Sequence, residues 1–261
     1  MESASGLVKA SAGVAWLRQL GGALLDQLYP PLCLHCDAPI ASSDALCGDC
    51  FRRLRPITAP YCPVLGLPFE VPLGPDARSA EAIADPPPFH RSRSAVIYDE
   101  IARKLVSRLK YGDRPELARF CARLMATAGA EFWKDNPVLV PVPLHRTRLL
   151  SRRYNQSTEL ARALGRLTGL RVDPGLLTRS RRTPRQVGLS ASARERNVAG
   201  AFTVSPHALA RLAGRPVVIV DDVITTGSTV KAVTNALKRA HIADVDVISF
   251  ARVVTGANLP Q

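Results

Sequence analysis

Apolar positions along the chain follow two rhythms. Short apolar-rich runs at 138–142, 217–220 and 245–250, with a shorter one at 94–98, read as buried strands. Pro137 and Pro143 bound the first of these. Between the runs, apolar residues recur at three- and four-residue spacing. That spacing predicts helices over 99–110, 114–133 (with Pro115 in its first turn), 153–167 and 228–240. Strands alternating with amphipathic helices predict an α/β fold, a parallel sheet with helices on both faces. Upstream the pattern changes. Val14, Leu17, Leu20, Leu24 and Leu28 sit at helical spacing, so 12–28 is expected to form a short helix packed on the rest of the chain. Residues 56–90 hold nine prolines, which oppose helix and central strand, and read as a linker. The expected organisation is therefore 1–55, an N-terminal helix and a cysteine module; 56–90, a linker; and 91–261, the α/β domain.

Hydrophobic residues make up 46% of the 261 and charged residues 22%, which excludes a mainly disordered chain. No run of about 18 apolar residues suggests a membrane-spanning helix. Arg18 and Asp26 interrupt the apolar N-terminal run, so a secretory signal is not expected and a reducing, cytoplasmic setting is. There, Cys33-x-x-Cys36 and Cys47-x-x-Cys50 read as two turns that each grip one metal ion from one side. Four thiolates complete a tetrahedral shell suited to structural zinc, leaving no open catalytic position. The alternatives are two disulfides or an iron–sulfur cluster. His35 reads as a bystander and Cys121 as a buried small apolar residue. Cys62 has no Cys-x-x-Cys partner, because Leu65 stands in the second place.

The net charge of +13 is uneven: residues 141–199 hold thirteen Arg against Glu159, Asp173 and Glu195, or +10 of it. This is either a solvated arginine-rich surface or an anion-binding face. The segment 217–229 favours the second. Val217-Val218-Ile219-Val220 leads into Asp221 and Asp222, then into the small polar loop Thr225, Thr226, Gly227, Ser228 and Thr229 that opens a helix. Ligands of open α/β sheets bind at the carboxyl ends of strands. Consecutive N–H groups, hydroxyls and a helix N-terminus make an anion cradle, and Gly227 allows close backbone approach. Adjacent carboxylates suit a vicinal diol, since each accepts two hydrogen bonds. Diol and phosphate together describe a ribose 5-phosphate. A Walker A loop and a Gly-x-Gly-x-x-Gly dinucleotide motif are both missing.

This segment closely resembles the phosphoribosyl pyrophosphate (PRPP) signature of type I phosphoribosyltransferases. More of the chain fits a narrower family. Leu109-Lys110-Tyr111-Gly112-Asp113, Val140-Pro141-Val142-Pro143-Leu144-His145, Arg148, Arg152-Arg153-Tyr154-Asn155-Gln156, Arg179, Thr183, Gln186, Leu189, Arg194, Asn197 and Phe202 follow the cysteine pairs in order. That order resembles the ComF family of competence-associated proteins, over about residues 28 to 252. The resemblance implies a type I phosphoribosyltransferase-like sheet preceded by a small four-cysteine zinc ribbon. It implies ribose hydroxyls on Asp221 and Asp222, the 5-phosphate on Thr225, Thr226, Gly227, Ser228 and Thr229, and Mg²⁺ carried by the pyrophosphate. It implies a pyrophosphate loop at His145, Arg146 and Arg148, although His145 reads equally as a packing residue. Residues 178–198, polar and without hydrophobic periodicity, resemble a flap that closes over PRPP, with Arg181, Arg182, Arg185 and Gln186 as candidates.

The expected chemistry is displacement at the ribose anomeric carbon with pyrophosphate leaving. No residue stands out as a general base, and the acceptor is not legible. Two other classes compete: a protein that keeps the PRPP site without catalysis, and a single-stranded-DNA-binding factor acting with competence proteins. Aromatics are only 5% of the chain, so base-stacking platforms are scarce for the last.

Overall fold

A computed structural model describes residues 30–74, 76–111, 115–145, 154–181 and 196–254. The N-terminal helix expected at 12–28 lies outside them. The chain divides into two compact units, Met1–Phe51 and Arg52–Gln261.

In the first unit Leu32 bridges Pro39 across a tight turn that holds Cys33 and Cys36, and helix α1 (Gly48–Arg53) begins just after Cys47. Cys33 and Leu34 are fully buried. The remaining elements belong to the second unit. They are α2 (Ala80–Ala84), β1 (Ser92–Ile97), α3 (Glu100–Tyr111), α4 (Pro115–Ala128), β2 (Val138–Pro141), α5 (Gln156–Thr168), β3 (Leu177–Arg179), β4 (Phe202–Val204), α6 (Pro206–Ala210), β5 (Val217–Ile224), α7 (Ser228–Arg239) and β6 (Val245–Arg252).

The main sheet has the order β1-β6-β5-β2, and every pairing in it is parallel. All six residues of β1 and all four of β2 are buried, so both faces are covered; the apolar run of β2 predicts this, whereas β1 buries Ser92, Arg93 and Ser94 as well. Val138, Val140, Val217, Ile219, Val245 and Val247 share one core with Val230, Val233 and Leu237 of α7. The intervening residues serve the other face: Gly165 of α5 lies against Leu139, and Gly129 after α4 against Ile248. At Gly165 a Cβ would come within 2.6 Å of Val172, so α5 approaches the sheet at a distance only glycine allows.

Two expectations change. The helix expected over 114–133 ends at Ala128, because Trp133 folds back over Gly129 and its indole N–H donates to the Ala126 carbonyl at 2.9 Å. Residues 56–90 were expected to be a linker, yet they are packed structure of the second unit. Ile57, Cys62, Leu65, Leu67, Ala82 and Phe89 lie in its core. The prolines leave 76–85 free, and α2 forms there with Ser79 as its N-cap.

Candidate functional site

β5 carries the centre of the site. The strand does not stop at Val220 but continues through the acids to Ile224, because β6 runs alongside and pairs as far as Ile224 with Arg252. Asp221 is buried. Its Oδ1 accepts the Ser157 hydroxyl at 3.1 Å and the Asp222 backbone N–H at 2.9 Å. Burial first, and the neighbouring Asp222 second, push the Asp221 carboxyl up to about 7, against the pull of its hydrogen bonds and of Lys110. Asp222 pairs with Lys110, whose Nζ lies 2.9 Å from Oδ2. Burial works against the Lys110 charge, but Asp222 and Asp221 outweigh it and hold its pKa above the ordinary value.

The loop after β5 reverses at Gly227, which takes φ 76° and N-caps α7. A side chain there would have room, since nothing comes closer than Val230 at 3.9 Å; the constraint is the backbone angle. Thr225 and Thr226 are exposed, Gly227 and Thr229 half-buried, and Ser228 buried. Thr226 and Ser228 share a hydroxyl–hydroxyl hydrogen bond of 2.7 Å. The five expected phosphate-cradle residues thus stand together at the N-terminus of a twelve-residue helix, beside the acids.

The start of α5 ties the surrounding pieces to this centre. Tyr154 donates to the Leu109 carbonyl at 2.6 Å, Asn155 to the Val142 carbonyl at 2.9 Å, and Ser157 to Asp221. Asn155 also caps α5 by accepting the Ser157 N–H at 3.1 Å. These three residues, all within 154–157, therefore fix the end of α3, the exit of β2 and one acid. Sequence reasoning assigned no role to Lys110 or Ser157. A lysine in the last turn of a helix reads as a complement to the helix dipole, and a serine in a first turn as a capping residue. Only the Leu109-Lys110-Tyr111-Gly112-Asp113 segment carried a signal.

His145 lies at the exit of β2 and lines a cavity of about 740 Å³ with Tyr154, Asn155, Thr158, Arg162 and Arg179. Arg146 and Arg148 fall outside the described residues, as do Arg182, Arg185 and Gln186. Arg181 is described: its guanidinium donates to the carbonyls of Asn197 and Ala199 at 3.2 and 2.7 Å. It therefore clasps the base of the expected flap. The segment expected to be structureless from 178 instead begins in β3, which pairs antiparallel with β4. Part of the arginine excess is used internally. Arg162 meets Glu159, Arg171 and Arg211 meet Asp173, and Arg179 stacks 5.2 Å from the Phe202 ring.

In the first unit the ligand atoms of Cys33, Cys36, Cys47 and Cys50 all lie within 4.8 Å of one another. The sulfurs of Cys36 and Cys47 are 3.7 Å apart. A disulfide needs about 2.05 Å, whereas a tetrahedral zinc–thiolate shell places its sulfurs about 3.8 Å apart. The described cysteines are all free thiols. The Cys47 N–H points at the Cys33 sulfur at 3.2 Å. Burial raises the Cys33 thiol, but the N–H groups of Cys36, Cys47 and His35 outweigh it and hold it at about 6. Burial and the neighbouring sulfurs push Cys50 up. A central dication would settle all four as thiolates. His35 is not one of the four clustered ligands; its Nδ1 shares a hydrogen bond of 3.2 Å with the Cys50 sulfur. Cys121 is fully buried in α4, as expected of a small apolar residue.

A parallel sheet with paired acids on one strand, a hydroxyl-rich turn at the following helix and a four-cysteine module ahead of it defines a class of protein. A family model described as phosphoribosyl transferase domain matches residues 107–258, and one described as double zinc ribbon domain matches residues 24–83. The chain belongs to the ComF family, and the zinc ribbon match together with its four clustered cysteines supports a structural zinc site. It is 35% identical to the DNA utilization protein YhgH of Salmonella typhimurium over 86% of this chain and 98% of the other. It is 26% identical to competence protein F of Haemophilus influenzae, over 84% and 96% of the two chains. It is 24% identical to competence protein ComFC of Bacillus subtilis, over 86% and 96%. Among the described residues, no helix is long and apolar enough to cross a membrane.

Proposed function

We propose that the protein binds PRPP with Mg²⁺ at the β5–α7 site and catalyses displacement of pyrophosphate from the ribose anomeric carbon. The observation that carries this reading is the buried Asp221 beside Asp222, next to the hydroxyl-lined turn capped by Gly227. Burying two adjacent acids is costly, and hydroxyl donors from a diol would offset that cost. Thr225 to Thr229 would hold the 5-phosphate through hydroxyls and backbone N–H groups at the positive end of α7. Lys110 would hold Asp222 in place through its 2.9 Å contact with Oδ2. The cavity beside His145 gives space for the pyrophosphate arm, where Mg²⁺ would ride on the ligand rather than on a protein cage. His145 with Arg146 and Arg148, and the flap residues Arg181, Arg182, Arg185 and Gln186, would neutralise the leaving charge and exclude water. Relatives named for DNA utilization and competence support a role for this chemistry in those processes.

Calorimetric titration of Mg²⁺–PRPP into zinc-loaded protein tests the reading. Binding by the wild type that disappears in the Asp221→Asn/Asp222→Asn variant is the expected result. No heat with folded wild type would refute it. The +10 balance over 141–199 favours a second activity, binding of single-stranded DNA. Salt-dependent DNA binding that survives loss of the PRPP site would separate the two.

A further inference from the structure

Residues 61–84 repeat the first cysteine knuckle bond for bond. Leu32 bridges Pro39 antiparallel, and Tyr61 bridges Pro68 in the same way. The Cys33 N–H donates to Ala38 O at 2.8 Å, and the Cys62 N–H to Leu67 O at 2.8 Å. Asp37 N–H closes on Cys33 O at 3.1 Å, and Gly66 N–H on Cys62 O at 2.8 Å. Ile40 N–H reaches Pro31 O at 2.9 Å, and Phe69 N–H reaches Pro60 O at 2.9 Å. The left-handed residue that ends each turn is Asp37 at φ 61° in one and Gly66 at φ 64° in the other.

The second halves correspond as well. The Cys47 N–H points at the Cys33 sulfur at 3.2 Å, and the Ser79 N–H at the Cys62 sulfur at 3.4 Å. A short helix starts one residue later in each, at Gly48 and at Ala80. The four ligand positions Cys33, Cys36, Cys47 and Cys50 thereby map onto Cys62, Leu65, Ser79 and Ala82.

We propose that residues 61–84 are a second zinc ribbon that folds without metal, so that this double-ribbon chain holds one zinc ion rather than two. Leu65 and Ala82 have no donor atom. The Ser79 hydroxyl is engaged as a helix cap, accepting the Ala82 N–H at 3.4 Å. One thiol cannot replace a tetrahedral shell. Side chains occupy the place of the ion: Cys62 is fully buried, and Leu65 and Ala82 are 7% and 3% exposed within the apolar core of the second unit.

Strand β1 takes over the fastening. Its residues catch three consecutive knuckle carbonyls. Arg93 donates to Pro63 O at 2.9 Å, the Ser92 N–H to Val64 O at 2.8 Å, and the Ser92 hydroxyl to Leu65 O at 3.1 Å. A Cβ on Gly66 would lie 2.4 Å from Ser92 O, so this contact requires glycine where the zinc knuckle has Asp37. The Cys62 sulfur accepts the Leu65 and Ser79 N–H groups at 3.4 Å each. Burial pulls the Arg252 guanidinium down to about 10, and Cys62 with Glu81 works against that. Cys62 thus serves as an internal acceptor and a counter-charge to Arg252.

Elemental analysis of the purified full chain tests this independently of the PRPP reading. One zinc per chain is expected, falling to none in Cys33→Ser/Cys36→Ser and unchanged at one in Cys62→Ala. Two zinc ions in the wild type, or zinc lost from Cys62→Ala, would overturn it. The variant Leu65→Cys/Ser79→Cys/Ala82→Cys restores the four positions. Cobalt titration should then show two equivalents and twice the thiolate-to-cobalt absorbance. A folded triple variant that still binds one equivalent overturns the mapping; should it not fold, the wild-type and Cys62→Ala zinc contents decide.

Discussion

Asp221→Asn should make the protein more stable while abolishing PRPP binding. Burial lifts the Asp221 carboxyl from its ordinary 3.8 to about 7. The folded state therefore binds this proton more tightly than the unfolded chain. Its contribution favours folding at low pH and is lost as pH rises through about 7. Three units at about 1.4 kcal/mol each put the cost of the ionised acid near 4 kcal/mol at pH 8. Asparagine keeps the acceptor oxygen for Ser157 and the Asp222 N–H, but adds an amide that needs its own partner. Roughly half of the cost should therefore be recovered, about 2 kcal/mol, or a Tm increase of about 4–8 °C. At pH 5 the ionised acid costs only about 1.7 kcal/mol while the amide's penalty is unchanged, so the gain should vanish. Urea unfolding followed by circular dichroism at pH 5 and pH 8, with PRPP calorimetry alongside, reads both quantities. A variant no more stable than wild type at pH 8, or a gain independent of pH, would show that Asp221 is not held at a cost, and the argument for a diol partner would fall with it.

Three further outcomes are expected. Lys110→Met removes one cause that lowers Asp221, so the pH midpoint for PRPP binding should move above that of wild type; with Lys110 26% and Asp222 14% exposed, breaking the pair should destabilise by about 2 kcal/mol, and an unmoved midpoint would rule the lysine out. Gly227→Ala forces an L residue to φ 76°, which should cost about 1 kcal/mol by urea unfolding and weaken PRPP binding measured by calorimetry. Chelating zinc should abolish hydrogen-exchange protection at 33–51 while leaving 138–141 and 217–224 protected; loss of protection in both would show that the sheet depends on the metal.

The legible parts of the fold are those where one residue class carries the signal. Val138–Pro141 announces itself through its apolar run and β5 through the β-branched residues 217–220, and the four ribbon cysteines through their spacing. What escaped the sequence are features created by pairing distant segments. The acids lie inside β5 only because β6 extends beside them. Three-residue strands such as β3 and β4 are too short to show a period. The second ribbon lacks the cysteines that would mark it, having Leu65, Ser79 and Ala82 at three of the four positions, and its prolines imitate a linker. Lys110 and Ser157 read as ordinary helix-end residues until Asp222 and Asp221 are placed against them.

A single loaded ribbon also sets how the protein answers to metal supply. A site well above its dissociation constant stabilises the folded chain by RT ln([Zn]/Kd), so a tenfold fall in free zinc costs about 1.4 kcal/mol for each ion held. Two loaded ribbons would double that slope, and with it the dependence on scarce zinc. By fastening three knuckle carbonyls to β1 in place of a second ion, the chain halves its stoichiometric demand. It also moves 61–84 from a folding equilibrium governed by free metal concentration to one governed by the sheet beneath it.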